Sequence, residues 1–222
     1  MAKLASSFLN MSLSLGIICT ASGGILSVLS HITREPIAKS KKAKVENALK
    51  AVLPDYDNSP SEEAYWVALS EGDSLKVYPA KKDEQWVGAA VESNSLNGFS
   101  GEIKVMVGLD AQGKVINYKV LEHAETPGLG DKMDDWFRSD KHHQCVLGKD
   151  LSKGGLHVSK EKGGEIDAIT GATISSRAFL DACNRAYVAV FEKYPDAASG
   201  ATTNEDGDAA SDTTNHPEGG KK

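Results

Sequence analysis

The N-terminal part of the chain is apolar, and no Lys, Arg, Asp or Glu occurs between Leu4 and Ile32. At about 1.5 Å of rise per residue, a helix over this stretch is longer than the roughly 30 Å hydrocarbon layer of a bilayer. A cleaved signal peptide is the alternative, because only Lys3 precedes the stretch, but the apolar run is long for such a leader. We therefore predict a single transmembrane helix in residues 1–33.

After this anchor the pattern changes to a juxtamembrane helical segment, residues 34–60, in which Ile37 to Leu53 has partly helical spacing and Pro54 ends it. Short strand-like stretches with turn residues between them follow. The clearest pair is joined by a loop in which Gly113 suits a left-handed conformation. The predicted strands are Ala64 to Leu69, Leu75 to Tyr78, Val87 to Val91, Glu102 to Val107 and Val115 to Leu121.

Two helices are predicted in the second half of the chain. Met133 to Phe137 suggests a short helix with Trp136 and Phe137 in the core. Ser175 to Tyr194 is predicted as a longer helix with one apolar face. That face consists of Phe179, Ala182, Cys183, Ala186 and Val190. Hairpins with segregated helices predict an α+β fold for residues 61–195, and the polar composition of residues 196–222 predicts a disordered tail.

Composition excludes some functions and leaves others open. A net charge of −6 and an isoelectric point near 5.5 argue against nucleic acid as a partner.

His142, His143 and Cys145 are not predicted to bind a metal, because adjacent histidines point apart and no fourth ligand is suitably spaced. Cys145 and Cys183 could pair in an oxidising compartment, whereas Cys19 lies within the apolar segment. No arrangement of nucleophile, base and acid is evident, so no catalytic residue is predicted.

The most informative segment runs from Asp167 to Ser176, where small residues lead into the last helix. Such a turn presents free backbone N–H groups and the positive end of the helix dipole, which together favour a phosphate. A hydroxyl held there, that of Ser175, could become esterified to the phosphate. The alternative is that Thr173 or Ser175 only caps the helix. A near-copy of the pattern in the tail ends in Asn204, which has no hydroxyl.

A second segment reads Glu125-Thr126-Pro127-Gly128-Leu129-Gly130. Its proline fixes one backbone angle, and its glycines permit turns and the close approach of a flat ligand. Together the two segments resemble the signature motifs of the FMN-binding domain family. The resemblance implies FMN attached through a phosphoester to Ser175, installed by a Mg-dependent flavin transferase that uses FAD as donor. It also implies further cofactor-binding residues: Asp167, Thr170, Gly171, Ala172 and Thr173 around the attachment point, and Glu125, Thr126, Gly128, Leu129 and Gly130 along the isoalloxazine ring.

Among flavinylated proteins, the single anchor, the Thr33-Arg34-Glu35-Pro36-Ile37 segment and the length most resemble the G subunits of Rnf-type complexes. That resemblance implies an electron relay in an ion-translocating ferredoxin:NAD oxidoreductase, alongside other membrane subunits and without independent turnover. The related C subunits of sodium-pumping NADH:quinone reductases, a stand-alone flavinylated carrier and an unflavinylated scaffold remain alternatives. The family implies an FMN domain outside the inner membrane, whereas the lysines and arginine after the helix favour the cytoplasm.

Overall fold

The computed structural model describes residues 8–70, 72–161 and 163–193. Its first element is one continuous helix, α1 (Phe8–Val52), which contains Pro36 and includes the described part of the predicted anchor and most of the predicted juxtamembrane segment. Large apolar side chains are exposed along it from Phe8 to Ile37. Among the described residues, one helix is long and apolar enough to cross a membrane, and it is this one.

The last two turns of α1 pack on one face of the sheet, where Ala48, Leu49 and Val52 are buried. The contact is so close that a Cβ built on Gly108 of the sheet would lie 2.0 Å from the Val52 carbonyl oxygen. Only glycine leaves room for the helix backbone at this point. The apolar helix is therefore joined to the domain by direct packing of its C-terminal end.

Five antiparallel strands form a meander in which each strand pairs with the next along the chain. All five predicted strands are present, and the second and third are longer than predicted. Gly113 in the last hairpin has a φ of +81°, as its predicted left-handed conformation requires. The strands are β1 (Tyr65–Ser70), β2 (Asp73–Lys82), β3 (Gln85–Ser95), β4 (Ile103–Asp110) and β5 (Val115–Glu122).

Both faces of the sheet are covered, so the central strands are apolar on both sides. In β4, Val105 and Val107 belong to the larger core, whereas Met106 between them belongs to the cluster under α1. This alternation follows from the two-residue period of a strand. The α+β fold predicted from the sequence is confirmed.

The remaining helices lie on the face of the sheet opposite α1. The short helix is α2 (Met133–Trp136), and the long one is α3 (Thr173–Tyr187), followed by a π-helical turn at Val188–Glu192. The predicted apolar face of α3 is buried, and Phe179 stacks on Phe137 with 4.4 Å between ring centroids. Phe137 is fully buried and Trp136 partly so. The predicted disordered tail lies outside the described residues.

Candidate functional site

The N-terminus of α3 is preceded by a tight turn from Ile169 to Ala172. The Ala172 N–H donates to the Ile169 carbonyl over 2.9 Å, and Gly171 supplies the φ of +80° in between. Ala172 occupies the N-cap position, where its methyl group cannot accept a hydrogen bond. The first N–H groups of α3 therefore have no side-chain cap, which is the arrangement of an anion site.

Neither hydroxyl proposed as a helix cap takes that role, since Thr173 is the first helical residue and Ser175 the third. Ser175 and Ser176 are both buried, with 2% and 0% of their surfaces exposed. The Ser176 hydroxyl accepts from the Ile169 N–H and donates to the Ala172 carbonyl, both over 2.9 Å. Ser176 therefore holds the turn together, and Ser175 is left to make a contact of a different kind.

Ser175 contacts the second signature segment. Its hydroxyl donates to the Oε2 atom of Glu125 over 2.5 Å, although fifty residues separate the two in sequence. The Oε1 atom of the same carboxylate accepts from the Ser100 N–H over 3.0 Å. Glu125 is only 4% exposed. The structure thus joins the two motifs through one buried hydrogen bond between a hydroxyl and a carboxyl group.

The segment after Glu125 folds into a second tight turn. The Leu129 N–H donates to the Thr126 carbonyl over 3.1 Å, and Gly128 has a φ of +78°. Proline at the second position and glycine at the third are the residues that a type II turn favours. The turn brings Leu129 beside Gly171, whose added Cβ would lie 3.4 Å from the Leu129 Cδ2 atom.

Glycines close the space around the Glu125–Ser175 pair. A Cβ on Gly130 would lie 2.7 Å from the Ser175 Oγ and 2.8 Å from the Glu125 Oε2. A Cβ on Gly98 would lie 2.8 Å from the Glu125 Oε1. At Gly130 the hydroxyl and the carboxylate already fill the space that a side chain would take, and at Gly98 the Gly101 carbonyl oxygen, 2.2 Å from the added Cβ, fills it first.

Asp167 supports the start of the motif. Its carboxylate accepts from the Ser159 hydroxyl over 2.8 Å and from the His143 N–H over 3.4 Å. Its backbone carbonyl accepts from the Trp136 indole N–H over 2.9 Å. The Ser159 hydroxyl and then the His143 N–H lower the pKa of the Asp167 carboxyl from its usual value. Asp167 thus fixes the chain that leads into the turn.

The predicted site residues fall into two groups. Glu125, Gly130 and Ser175 meet directly, and Leu129 approaches Gly171. The others lie on the two turns or at the helix start: Thr126, Gly128 and Thr170 are exposed, Ala172 is the buried N-cap, and Thr173 is partly buried.

A third segment, residues 96–100, also belongs to the site, and the sequence analysis did not predict it. It supplies the Ser100 N–H and the Gly98 close approach, and it exposes 67% of the Phe99 surface. The available sequence signal was an aromatic residue flanked by Gly98 and Gly101, between two predicted strands. Leu129 and Ile174, on the other two segments, are also partly exposed, at 41% and 48%.

The weaker candidates do not form a site in the described part of the chain. Cys19, Cys145 and Cys183 are free thiols, so the possible pairing of Cys145 with Cys183 is not found. Burial raises the pKa of the Cys183 thiol, which disfavours the reactive thiolate. Within residues 8–70, 72–161 and 163–193, no three His, Cys, Asp or Glu side chains converge as metal ligands.

The arrangement fits a flavin phosphate in two respects. The uncapped start of α3 can receive the phosphate oxygens, and Ser175 places a hydroxyl in that first turn. Phe99, Leu129 and Ile174 expose apolar surface on the three segments that meet there, as a flat aromatic ring requires. The two turns, the glycines and the uncapped helix start are features that a helix-terminal phosphate site shares.

Comparison with known proteins agrees with such a site, because residues 98–188 match the FMN-binding domain family. Among the G subunits of ion-translocating oxidoreductase complexes, that of Vibrio vulnificus is 34% identical over 181 residues, which are 77% of this chain and 83% of that protein. The Photorhabdus laumondii protein is 37% identical over 180 residues, 78% and 85% of the two chains. That of Escherichia coli K12 is 34% identical over 185 residues, 78% and 86%. The chain belongs to this family of G subunits.

Proposed function

We propose that this protein is a membrane-anchored flavoprotein subunit that carries FMN in phosphoester linkage on Ser175. The observation that carries the proposal is the different environment of two adjacent serines. Ser176 is held by backbone groups of its own turn, whereas the Ser175 hydroxyl meets the buried Glu125 carboxylate of the other signature segment. Ser175 is therefore the hydroxyl at the meeting point of all three site segments.

A Mg-dependent flavin transferase with FAD as donor is proposed to install the cofactor. Once bound, FMN supplies reversible acceptance and donation of electrons. This chain's own residues hold it: the first turn of α3 faces the phosphate, and Phe99, Leu129 and Ile174 offer apolar surface to the ring. A covalent link prevents loss of the cofactor by dilution outside the cytoplasm.

The protein is proposed to relay electrons within an Rnf-type ion-translocating ferredoxin:NAD oxidoreductase. The names of its relatives, as G subunits of ion-translocating oxidoreductase complexes, support this membership over the sodium-pumping quinone reductase. The exposed apolar side chains of α1 support a membrane anchor. We place the FMN domain on the periplasmic side, as the family resemblance implies. Protection of the domain from protease added to spheroplasts would contradict that orientation.

The test of the proposal is a substitution of the attachment residue. Ser175→Ala, expressed with the flavin transferase, is expected to lose all flavin fluorescence from the denatured band and all FMN mass from the intact chain. Ser176→Ala and Thr203→Ala are the controls, and both should retain the label. An unlabelled wild-type chain, or a labelled Ser175→Ala chain, would reject the proposed linkage.

A further inference from the structure

We infer that Glu125 accepts the proton of the Ser175 hydroxyl when the flavin phosphoryl group is attached, so that the acceptor chain supplies part of the chemistry. This inference rests on the proposed attachment of FMN to Ser175. It assigns Glu125 a role before the cofactor is present, in addition to its place in the loop beside the ring.

The geometry of the pair is that of a hydroxyl and its base. The Ser175 hydroxyl donates directly to the Glu125 Oε2, as a hydroxyl must to the base that takes its proton. The second carboxylate oxygen is fixed by the Ser100 N–H at 3.0 Å. The Glu125 N–H in turn lies 3.2 Å from the His123 Nδ1. Bonds at the side chain and backbone therefore aim one oxygen of the carboxylate at the serine.

The charges around Glu125 leave its carboxylate free to accept the Ser175 proton. None of the ion pairs formed among residues 8–70, 72–161 and 163–193 includes Glu125. Buried carboxylates in proteins are usually paired with a cation and hydrogen-bonded. Here the hydrogen bonds come from one backbone N–H and from the hydroxyl that must lose its proton.

The step balances without any redox change. The Ser175 Oγ attacks the FMN phosphorus of FAD, an Oγ–P bond forms, and the bond from that phosphorus to the bridging oxygen breaks to release AMP. The hydroxyl proton passes to the Glu125 carboxylate and afterwards to water. A serine hydroxyl is a weak nucleophile without such a base. The uncapped start of α3 is placed to stabilise charge on the phosphoryl oxygens.

Access to the hydroxyl requires a limited movement, because Ser175 is only 2% exposed. The exposed turn from Thr126 to Leu129 connects Glu125 to Gly130, and Gly130 is the loop residue that lies against the Ser175 hydroxyl. Glu125 precedes that turn and is held separately by Ser100. Access to Ser175 therefore requires the loop after Glu125 to move while the Ser100 N–H still holds the carboxylate.

The experiment compares labelling kinetics of full-length chains in detergent with purified flavin transferase, Mg²⁺ and FAD, at varied acceptor-chain concentration. Glu125→Gln keeps the size of the side chain and removes the base. We expect its labelling kcat to fall about 100-fold while KM for the acceptor chain stays within about threefold, since general bases contribute roughly 10²–10⁴. Glu125→Asp should lose less, about tenfold. Glu122→Gln, an exposed site at the end of β5, is the matched control and should not change either constant.

The outcomes separate this inference from the proposed function. Wild-type or faster labelling of Glu125→Gln, with Ser175→Ala unlabelled, overturns the role of Glu125 and leaves the attachment site intact. Failure of wild-type labelling rejects the proposed function itself. If Glu125→Gln does not fold, as judged by its thermal transition, Glu125→Asp decides: a lower kcat at unchanged KM supports the role, and an unchanged kcat overturns it.

Discussion

Two regions meet at the start of α3, and they are held together in different ways. The first, which we call the reactive pair, is Ser175 with Glu125, joined by a single short bond between side chains from distant segments. The second, which we call the supporting turn, is Ile169 to Ala172 with Ser176, closed by four bonds that each use backbone groups. Two serines next to each other in sequence therefore have different hydrogen-bond partners: backbone groups for Ser176 and a distant carboxylate for Ser175.

The difference follows from helix geometry. Successive residues on an α-helix point about 100° apart, so adjacent hydroxyls at the start of α3 face different neighbours. Ser176 faces back toward the turn, where its bonds to backbone groups leave little freedom. Ser175 faces the loop that begins at Glu125, where its bond would be consumed by esterification. Bonds to backbone groups therefore hold Ser176, whereas the Ser175 hydroxyl bonds to a side chain of a distant segment.

Among the substitutions that leave both members of the reactive pair in place, the largest loss of flavin labelling is expected from crowding the pair. Gly130→Ala would place a Cβ 2.7 Å from the Ser175 Oγ and 2.8 Å from the Glu125 Oε2, so the two side chains must move apart. We expect flavin labelling to fall at least tenfold and the unfolding free energy to fall by about 1–3 kcal/mol, as overpacking does. Labelling kinetics and urea unfolding measure the two effects.

Gly128→Ala is the control for that substitution. It has the same chemical change on the same loop, and nothing lies within 4 Å of its added Cβ, although its φ of +78° brings backbone strain of about 1 kcal/mol. Labelling should therefore decline much less than in Gly130→Ala. Equal losses in both variants would show that loop strain, and not contact with the pair, controls labelling.

Part of this architecture could be predicted from the sequence because it depends on local patterns. The five strands, the Gly113 turn and the buried face of α3 follow from periodicity and turn residues, and the structure confirms them. Local patterns were less exact at element ends. The last helix begins at Thr173 and not at Ser175, and it changes to a π-helical turn after Tyr187.

The rest depends on contacts between distant segments, which a local pattern does not contain. The bond between Ser100 and Glu125 joins a loop after β3 to one after β5. The distinction between Ser175 and Ser176 depends on the residue at which α3 begins, because one residue of shift rotates both hydroxyls. The motifs therefore predicted two of the three segments that meet at the start of α3, and tertiary packing determines what each hydroxyl contacts.

Ser176→Ala is expected to lower stability while leaving flavin labelling unchanged. The Ile169 N–H would lose its buried acceptor, which costs about 1–3 kcal/mol of unfolding free energy. Labelling at Ser175 should persist, because Glu125 and the reactive hydroxyl are unchanged. Urea unfolding and the mass of the denatured chain measure this pair of results. Lost labelling with full stability would mean that Ser176 takes part in the chemistry and that the comparison drawn above is wrong.

The smallest change in stability is expected from the Asp167 carboxylate, which holds the segment before the turn. The Ser159 hydroxyl and the His143 N–H lower the pKa of Asp167 in the folded chain, so folding favours its charged form. This stabilisation is present above the unfolded-state pKa of about 3.9 and is lost as the pH falls through the lower folded-state value. Asp167→Asn should therefore be less stable than wild type at neutral pH, and the difference should shrink as the pH falls below about 4.

Unfolding midpoints of the two chains across that pH range test the role of Asp167. The pKa values of Asp150 and Glu165 are also lowered, by Ser152 and Lys149 respectively. Protonation of these two groups in acid therefore destabilises either chain. Because they are common to both variants, their contribution cancels in the difference between midpoints. A difference that stays constant, or grows, with falling pH would show that Asp167 supports the turn through its shape and not through its charge.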